Sequence, residues 1–323
     1  MTPPVFTDVA VVRPPFGGPV AHAATDPRVR SWAVDLSRLV RPRIAVMVLA
    51  TVVTAFWMTA GRPESVATLV VLLVGTALVA ASSSIANQIL ERESDRAMER
   101  TAVRPIAAGR MSAGEAWWLA AATLGVGAVA VWAGGGIGAT LAALATWLLY
   151  VLVYTPLKRM TPLNTAVGAV AGALPVAIGW CAAGGPERLA AGDARGGLAV
   201  AALATILYLW QFPHFMAIAW LYRRQYEAAG SKMLTVVDPS GLRAAGQSLT
   251  AALAMVPVSL VLAVPSGSIR LFLAAAVAAI LYVLAAFRFA VRRDDASARI
   301  LLLTSLGSLL GLLTAAVVFG SRA

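Results

Sequence analysis

The sequence predicts an all-α, polytopic membrane protein with about nine transmembrane helices packed as a bundle. Hydrophobic residues make up 59% of the 323 residues and charged residues only 13%, and the mean hydropathy is +0.79. A soluble domain is much less apolar, and roughly a quarter of its residues are charged. The apolar residues also recur in runs, most of which have the roughly 20 residues that a helix needs to cross a bilayer.

Hydropathy along the chain places these spans at approximately 44–60, 66–90, 117–134, 137–155, 163–184, 198–221, 247–265, 269–287 and 300–319. The first span is short, and only the run Gly134-Gly135-Gly136 separates the third from the fourth. Residues 1–35 contain six prolines and little periodicity. We therefore interpret 1–35 as a flexible cytoplasmic tail and 36–323 as the transmembrane domain.

The basic residues are distributed unequally between the two membrane sides. Of the 26 Lys and Arg residues, 21 lie in the N-terminal tail and in the loops after spans two, four, six and eight. The positive-inside rule then places the N-terminus in the cytoplasm, and we expect a bacterial cytoplasmic (inner) membrane protein. This segregation explains the net charge of +11 without a nucleic-acid partner, and leaves the lipid bilayer and an anionic substrate as expected partners. One cysteine, Cys181, excludes an internal disulfide.

A segment rich in charged side chains, 87–109, directly follows the second span. If the helix continues, residues four apart lie about 40° round and about 6 Å along from one another. This spacing predicts an acidic stripe beside a parallel basic stripe, made respectively of Asn87, Glu91, Asp95 and Glu99 and of Arg92, Arg96, Arg100 and Arg104. Carboxylates hold metal ions and guanidinium groups hold phosphate, so we interpret the segment as a site. The alternative is an ordinary juxtamembrane helix with surface salt bridges.

Three further polar clusters are predicted on the same side. In 154–164, two prolines break the helix and leave Lys158 and Arg159 on a turn that can face a diphosphate, unless the pair is only a positive-inside anchor. Asn164 there can equally be a helix cap. In 210–215, the sequence WQFPHF places Gln211 and His214 in apolar surroundings, where a histidine is either substrate-facing or structural. The third cluster, 222–234, carries Arg223, Arg224, Glu227 and Lys232.

These clusters resemble the UbiA-type intramembrane prenyltransferases. The first signature of that superfamily, Asn-x-x-x-Asp-x-x-x-Asp, is matched by Asn87, Glu91 and Asp95. Within the superfamily the chain is similar to the protoheme IX farnesyltransferase (haem O synthase) branch over about 36–320. The residues that carry this narrower resemblance are LVRPR at 39–43, ERESDRAMERTAVRPIAAGR at 91–110, the run from Tyr154 to Asn164, Gly168 and Gly172 with AxPxxIGW, WQFPHF, and 226–234.

The resemblance implies a helical bundle around a central cavity that opens to the cytoplasmic side. It also implies transfer of a farnesyl group from farnesyl diphosphate to a vinyl group of haem B, with Mg²⁺ as cofactor and haem A synthase as a further partner. The implied metal ligands are Asn87, Glu91 and Asp95. The implied catalytic residues are these three with Lys158 and His214, and the implied substrate-binding residues are Arg100, Arg104, Tyr154, Arg159, Asn164, Trp210, Gln211, Arg224 and Lys232.

The sequence departs from the family pattern at the third cluster. The family usually has an aspartate before the tyrosine that is Tyr226 here, and this chain has Gln225. The basic Arg224 stands next to it, so we expect direct cationic contacts with phosphate, or recruitment of Glu227 or Asp238, in place of a second metal site. Two other functions remain open at this stage: a UbiA-type enzyme that acts on an aromatic or chlorin acceptor, and a polytopic transporter.

Overall fold

The computed structural model describes residues 31–61, 63 and 65–320, and every regular element in these residues is helical. In chain order the helices are α1 (Trp32–Val40), α2 (Pro42–Ala60), α3 (Val66–Leu90), α4 (Arg92–Arg96), α5 (Glu99–Ala102), α6 (Ala113–Leu148), a π-helix (Leu149–Tyr154), α7 (Thr155–Leu157), α8 (Asn164–Ala173), α9 (Pro175–Ala182), α10 (Gly185–Ala190), α11 (Ala194–Leu221), α12 (Arg223–Ala228), α13 (Leu234–Val237), α14 (Leu242–Val261), a 3₁₀ turn (Val264–Ser266), α15 (Ile269–Arg292) and α16 (Asp295–Phe319). The all-α prediction is confirmed.

Eight helical segments of the described chain are long and apolar enough to cross a membrane. The longest, Ala113–Leu157, has 45 residues and is interrupted at Gly136, where φ is 73° and ψ is −175°. Only glycine adopts this conformation without strain. On α3, the Ser82 hydroxyl bonds to Ala120 before this break and to Trp147 after it. The chain therefore folds back at Gly136, which gives the two spans that the sequence predicted here.

The bundle is held together by close packing of small residues and by a large apolar core. A Cβ added at Gly75 or Gly127 would meet the backbone of the opposite helix at 2.6 to 2.9 Å, so α3 and α6 approach at a distance that only glycine permits. On the other side of the molecule α11, α14, α15 and α16 enclose a core that includes the fully buried Tyr282 and Phe289. These contacts fix the helices that carry the polar clusters.

The described chain begins inside the predicted tail. Helix α1 contains Asp35, which is buried and ion-paired with Arg110 at 2.8 Å. The Gln88 amide donates to the carbonyls of Arg38 and Leu39, and so ties α1 to the end of α3. The remainder of the predicted tail, residues 1–30, lies outside the described residues.

The prediction of one continuous charged helix over 87–104 is wrong. Helix α3 ends at Leu90, and Met98 has an extended backbone between α4 and α5. The Ser94 hydroxyl donates to the Glu91 carbonyl and the Thr101 hydroxyl donates to the Asp95 carbonyl, so side chains compete with the helical ladder. The two predicted stripes are broken as a result. Arg92 and Arg96 contact Glu93 at the exposed surface.

Candidate active site

The polar clusters converge at one end of the bundle. The Lys158 ammonium donates to Oε1 of Glu91 at 2.8 Å. The backbone carbonyl of Lys158 accepts a hydrogen bond from the backbone N–H of Lys232 at 2.7 Å. The backbone N–H of Arg100 donates to Oε1 of Gln225 at 3.5 Å, which links the first cluster to the third. A cavity of about 680 Å³ extends from this end into the bundle. The structure therefore brings the three separate sequence regions to the mouth of one cavity.

One wall of the mouth carries a partly buried carboxylate, Glu91, and a buried one, Asp95, each with a basic partner. Glu91 pairs with Lys158, and Asp95 pairs with Arg104 through Oδ2. The second oxygen of Asp95, Oδ1, is buried and has no hydrogen-bond partner. Beneath them the Asn87 amide nitrogen donates to Thr155 at 3.0 Å, and its Oδ1 is likewise buried without a partner. The segment 87–95 thus contains two buried acceptor oxygens without a hydrogen-bond partner.

The electrostatics of the two carboxylates differ. Burial alone would raise the pKa of Glu91, but the Lys158 ammonium, together with Arg41 and Arg104, holds that pKa below its ordinary value. Burial raises the pKa of Asp95 above its ordinary value, because the Arg104 guanidinium only partly offsets it. Burial also lowers the pKa of Arg104. A further cation beside the unpartnered Oδ1 of Asp95 would stabilise the ionised carboxylate.

The oxygen donors at this wall fit Mg²⁺. Hard cations of this kind take carboxylate and amide oxygens together with oxygens of the substrate phosphates. Within the described residues no three His, Cys, Asp or Glu side chains gather as a metal-binding group. The wall instead offers Glu91 and Asp95, and the buried amide oxygen of Asn87 in the same segment has no partner, which suits a metal ion that is completed by a phosphate ligand.

Cationic side chains surround the carboxylate wall. Arg100 lines the cavity and its guanidinium lies 4.9 Å from the centroid of the Tyr222 ring. Arg41 and Arg43 also line the cavity and were not identified as site residues from the sequence. Arg41 is one of two described non-glycine residues with positive φ, at 48°, and one of its guanidinium nitrogens is buried without a partner. Its positive charge also acts to lower the pKa values of Glu91 and Asp95.

A π-helix positions the aromatic residues below the mouth. Tyr150 and Tyr154, at its two ends, have ring centroids 5.3 Å apart, and the Lys158 ammonium lies 4.5 Å from the Tyr154 centroid. A Cβ at Gly168 would come within 2.6 Å of the Tyr154 ring, so this glycine allows the ring to pack closely against α8. Wide helical turns of this type occur frequently at functional sites.

The deep end of the cavity is formed by α11. Trp210, Gln211 and His214 line it, and Gln211 fills the space that a side chain at Gly172 would occupy. The Gln211 side-chain amide donates to the carbonyls of Ala169 at 2.9 Å and of Leu207 at 3.0 Å. Because Gly168 and Gly172 are one helical turn apart, Tyr154 and Gln211 mark successive depths of the same cavity.

Comparison with known proteins identifies the family. The model of the UbiA prenyltransferase family matches residues 48–319. The chain belongs to the UbiA prenyltransferase family. A protein named protoheme IX farnesyltransferase from Rhodopirellula baltica (strain DSM 10527 / NCIMB 13988 / SH1) is 45% identical over 225 residues, which cover 70% of this chain and 76% of that protein. A protein of the same name from Solibacter usitatus (strain Ellin6076) is 38% identical over 287 residues, covering 84% and 93%.

Solved structures support the fold. A UbiA homologue from Archaeoglobus fulgidus, solved with GPP and Mg²⁺, has a TM-score of 0.62 at 18% identity, and the match covers 87% of this chain and 99% of that chain. At this identity the likeness concerns the fold alone. Membership in the UbiA family makes the chain an integral membrane prenyltransferase, and the transporter alternative is set aside.

Four predicted substrate-binding residues of this UbiA chain do not line the cavity. Arg159, Arg224 and Lys232 are exposed at the surface of the same end. Asn164 is buried, but its amide donates to the carbonyls of Thr161 and Lys232 and braces the loops. The other predicted residues either line the cavity or, in the case of Asn87, lie directly beneath its wall.

The third cluster brings no carboxylate to the cavity in the described structure. Glu227 is exposed, and Asp238 accepts hydrogen bonds from the Ser240 hydroxyl and the Arg243 N–H in its own turn. Hydrogen bonding to Ser240 lowers the pKa of Asp238, as expected for an acceptor that is already satisfied. From this cluster only Tyr226, Ser231 and Met233 reach the cavity.

Proposed function

We propose that this UbiA enzyme transfers the farnesyl group of farnesyl diphosphate to a vinyl group of haem B, releasing diphosphate and forming haem O. One observation carries the proposal: a single cavity joins a mouth of carboxylates and cations to a deep end lined by Trp210 and His214. The mouth suits a diphosphate, and the apolar interior suits a polyprenyl chain and a porphyrin. The names of the relatives that share 38 to 45% identity with the chain support the acceptor.

The reaction begins with rupture of the bond between the farnesyl C1 carbon and the diphosphate oxygen. Arg100, Arg104 and Lys158 supply positive charge where the leaving diphosphate becomes more negative. Mg²⁺, when bound, neutralises diphosphate charge in the same way. Asn87, Glu91 and Asp95 would hold that ion, with the unpartnered oxygens of Asn87 and Asp95 as ligands.

Departure of the diphosphate leaves an allylic cation. Tyr150 and Tyr154 present ring faces beside the cavity, and such faces attract cations and exclude water. Phe212, the aromatic residue between Gln211 and Pro213, packs into a buried cluster with Tyr208 and lies outside the cavity lining. The vinyl carbon of haem then forms the new carbon–carbon bond, and the resulting cation takes up water and loses a proton to give the hydroxyl group.

The proposed reaction is tested by incubating the purified protein with farnesyl diphosphate, haem B and Mg²⁺. We expect haem O, identified by mass, and diphosphate in a one-to-one ratio. Diphosphate release without a modified porphyrin, together with transfer to an added aromatic acid or chlorin, would favour the other UbiA activity.

We also propose that the mouth faces the cytoplasm of a bacterial inner membrane, and that the product passes to haem A synthase. The concentration of basic residues at this end supports the orientation. Single cysteines at Ala102 and Ala229, in a Cys181→Ala background, should react with membrane-impermeant thiol reagents only from the cytoplasmic face. Labelling from the outer face would show that the proposed orientation is wrong. The partner is tested separately: if this protein and haem A synthase, both purified, neither associate nor exchange haem O, the proposed partnership is wrong.

A further inference from the structure

His214 is the one histidine within the described residues, and it lies seven residues before the end of α11 at Leu221. Seven residues of helix correspond to about 10 Å, so His214 lies about that far below the mouth. It is half-buried and lines the cavity. Its partly accessible edge therefore faces the space in which the acceptor would bind.

The hydrogen bonds around His214 determine which ring nitrogen carries the proton. Nδ1 lies 2.7 Å from the hydroxyl oxygen of Ser305 on α16. The Ser305 hydroxyl donates to the Leu302 carbonyl at 2.6 Å. A hydroxyl has one hydrogen, so Ser305 can only accept from His214. Nδ1 must then be the protonated nitrogen, which leaves the lone pair of the neutral imidazole on Nε2.

The ring is also held in orientation by its neighbours. The Trp210 ring stacks on it with centroids 4.5 Å apart and an interplanar angle of 23°. Trp210 is in turn fixed by its indole N–H, which donates to the Ser305 carbonyl at 2.7 Å, and by the Tyr282 hydroxyl, which donates to the Trp210 carbonyl at 2.7 Å. Ser305 therefore positions both aromatic rings at the deep end.

We propose that Nε2 of His214 binds the iron of the haem acceptor, and that Ser305 is the positioning residue that maintains the required tautomer. The proposal rests on haem B being the substrate. A metal-binding histidine almost always donates its other ring N–H to an oxygen, which fixes the tautomer and the ring orientation. Imidazole is also the common protein ligand of haem iron. One directed bond to iron in an otherwise apolar cavity would hold the reacting vinyl group at a constant depth below the aromatic rings.

The experiment compares two porphyrins bound to the full-length protein in lipid nanodiscs without farnesyl diphosphate. Ferric haem B can accept a ligand to iron, and metal-free protoporphyrin IX cannot. In the wild type we expect the absorption spectrum of imidazole-ligated haem. His214→Ala should remove that spectrum and weaken haem B binding about tenfold or more, while protoporphyrin affinity stays within about twofold. Added imidazole should restore the spectrum.

Two further variants separate ligation from general structure. Ser305→Ala should weaken haem B binding by roughly tenfold and alter its spectrum, and Ser305→Thr, which keeps the hydroxyl, should restore both. The chain has two histidines, so His22→Ala, outside the described residues, is the matched control and should leave the haem spectrum unchanged.

An unaltered haem spectrum in His214→Ala would overturn the proposal, and so would an equal loss of affinity for both porphyrins. If His214→Ala retains the haem spectrum but loses turnover, His214 does not bind the iron and serves the reaction in another way, such as accepting the proton of the incoming water. Failure of the proposed function looks different: the wild type would ligate haem through His214 and form no haem O.

Discussion

The segments 91–104 and 222–238 both follow a long span and both reach the mouth of the cavity, but their acidic residues are placed differently. In the first, Glu91 and Asp95 are at or near the cavity surface with basic partners. In the second, Glu227 is exposed and Asp238 is bound within its own turn. The diphosphate is therefore expected to meet carboxylates on one side of the mouth and neutral side chains, including Tyr226, on the other.

This difference indicates how the chain compensates for Gln225. Arg41, Arg100 and Arg104 line the same cavity and already offset part of the diphosphate charge. Fixed cations need no reorganisation when the substrate ionises. If the carboxylate wall holds the metal as proposed, these guanidinium groups supply positive charge without a second acidic wall.

The largest effect is expected from Asp95→Ala. Loss of this carboxylate removes a proposed metal ligand and leaves Arg104 buried without its partner, so turnover should fall by at least about 10²-fold. Activity is measured as haem O formation in nanodiscs, with membrane insertion and farnesyl diphosphate binding checked in parallel. Glu227→Ala is the matched change on the other segment and should keep nearly full activity. Near-normal Mg²⁺-dependent turnover in Asp95→Ala would show that the wall is structural.

The next effect concerns the ion pair that closes the carboxylate wall. Glu91→Gln or Lys158→Met alone leaves an uncompensated buried charge, which costs about 3 to 5 kcal/mol. The double variant Glu91→Gln with Lys158→Met should therefore have a higher thermal midpoint in detergent than either single variant. Arg159→Met, a change at the exposed neighbouring position, is the control and should leave the midpoint unaltered. If the decreases in thermal midpoint of the two single variants add up in the double variant, Glu91 and Lys158 are not energetically coupled.

A smaller effect distinguishes cations inside the cavity from those outside it. Arg100→Ala should weaken farnesyl diphosphate binding by about 1.5 to 3 kcal/mol, or roughly ten- to hundredfold, the value of a charge-assisted contact. Arg224→Ala is the control on the opposite segment and should change the affinity by less than about threefold, because Arg224 does not line the cavity. The reverse order of the two effects would support the role that the sequence suggested for Arg224.

The sequence predicted the spans well because hydropathy depends on local composition. The second span, predicted at 66–90, is helix Val66–Leu90, and the Gly134-Gly135-Gly136 run correctly marked the turn between two spans. The four-residue spacing also selected Glu91 and Asp95, although it assigned them to a helix that does not continue. Their actual partners, Lys158 and Arg104, are 67 and 9 residues away in the chain. No local rule identifies such pairs.

The residues missed from the sequence depend on tertiary structure in the same way. The motif LVRPR was identified only as part of the resemblance. Its Arg41, which has a positive φ angle between α1 and α2, lines the cavity. Ser305 gave no signal in the sequence because a serine in an apolar span is common, and its importance lies in its contacts with Trp210 and His214. The exposed Arg159, Arg224 and Lys232 show the opposite error, since basic charge near a site does not by itself place a side chain in it.

The most direct test of a single metal-binding wall is the affinity for Mn²⁺, a spectroscopic substitute for Mg²⁺, measured with farnesyl diphosphate present and haem absent so that no transfer occurs. We expect Asp95→Asn and Glu91→Gln to weaken Mn²⁺ binding by about tenfold or more, and Glu227→Gln and Asp238→Asn to leave it within about twofold. A loss in Glu227→Gln or Asp238→Asn as large as that in Asp95→Asn would contradict a single metal-binding wall, because the second segment would then also hold metal.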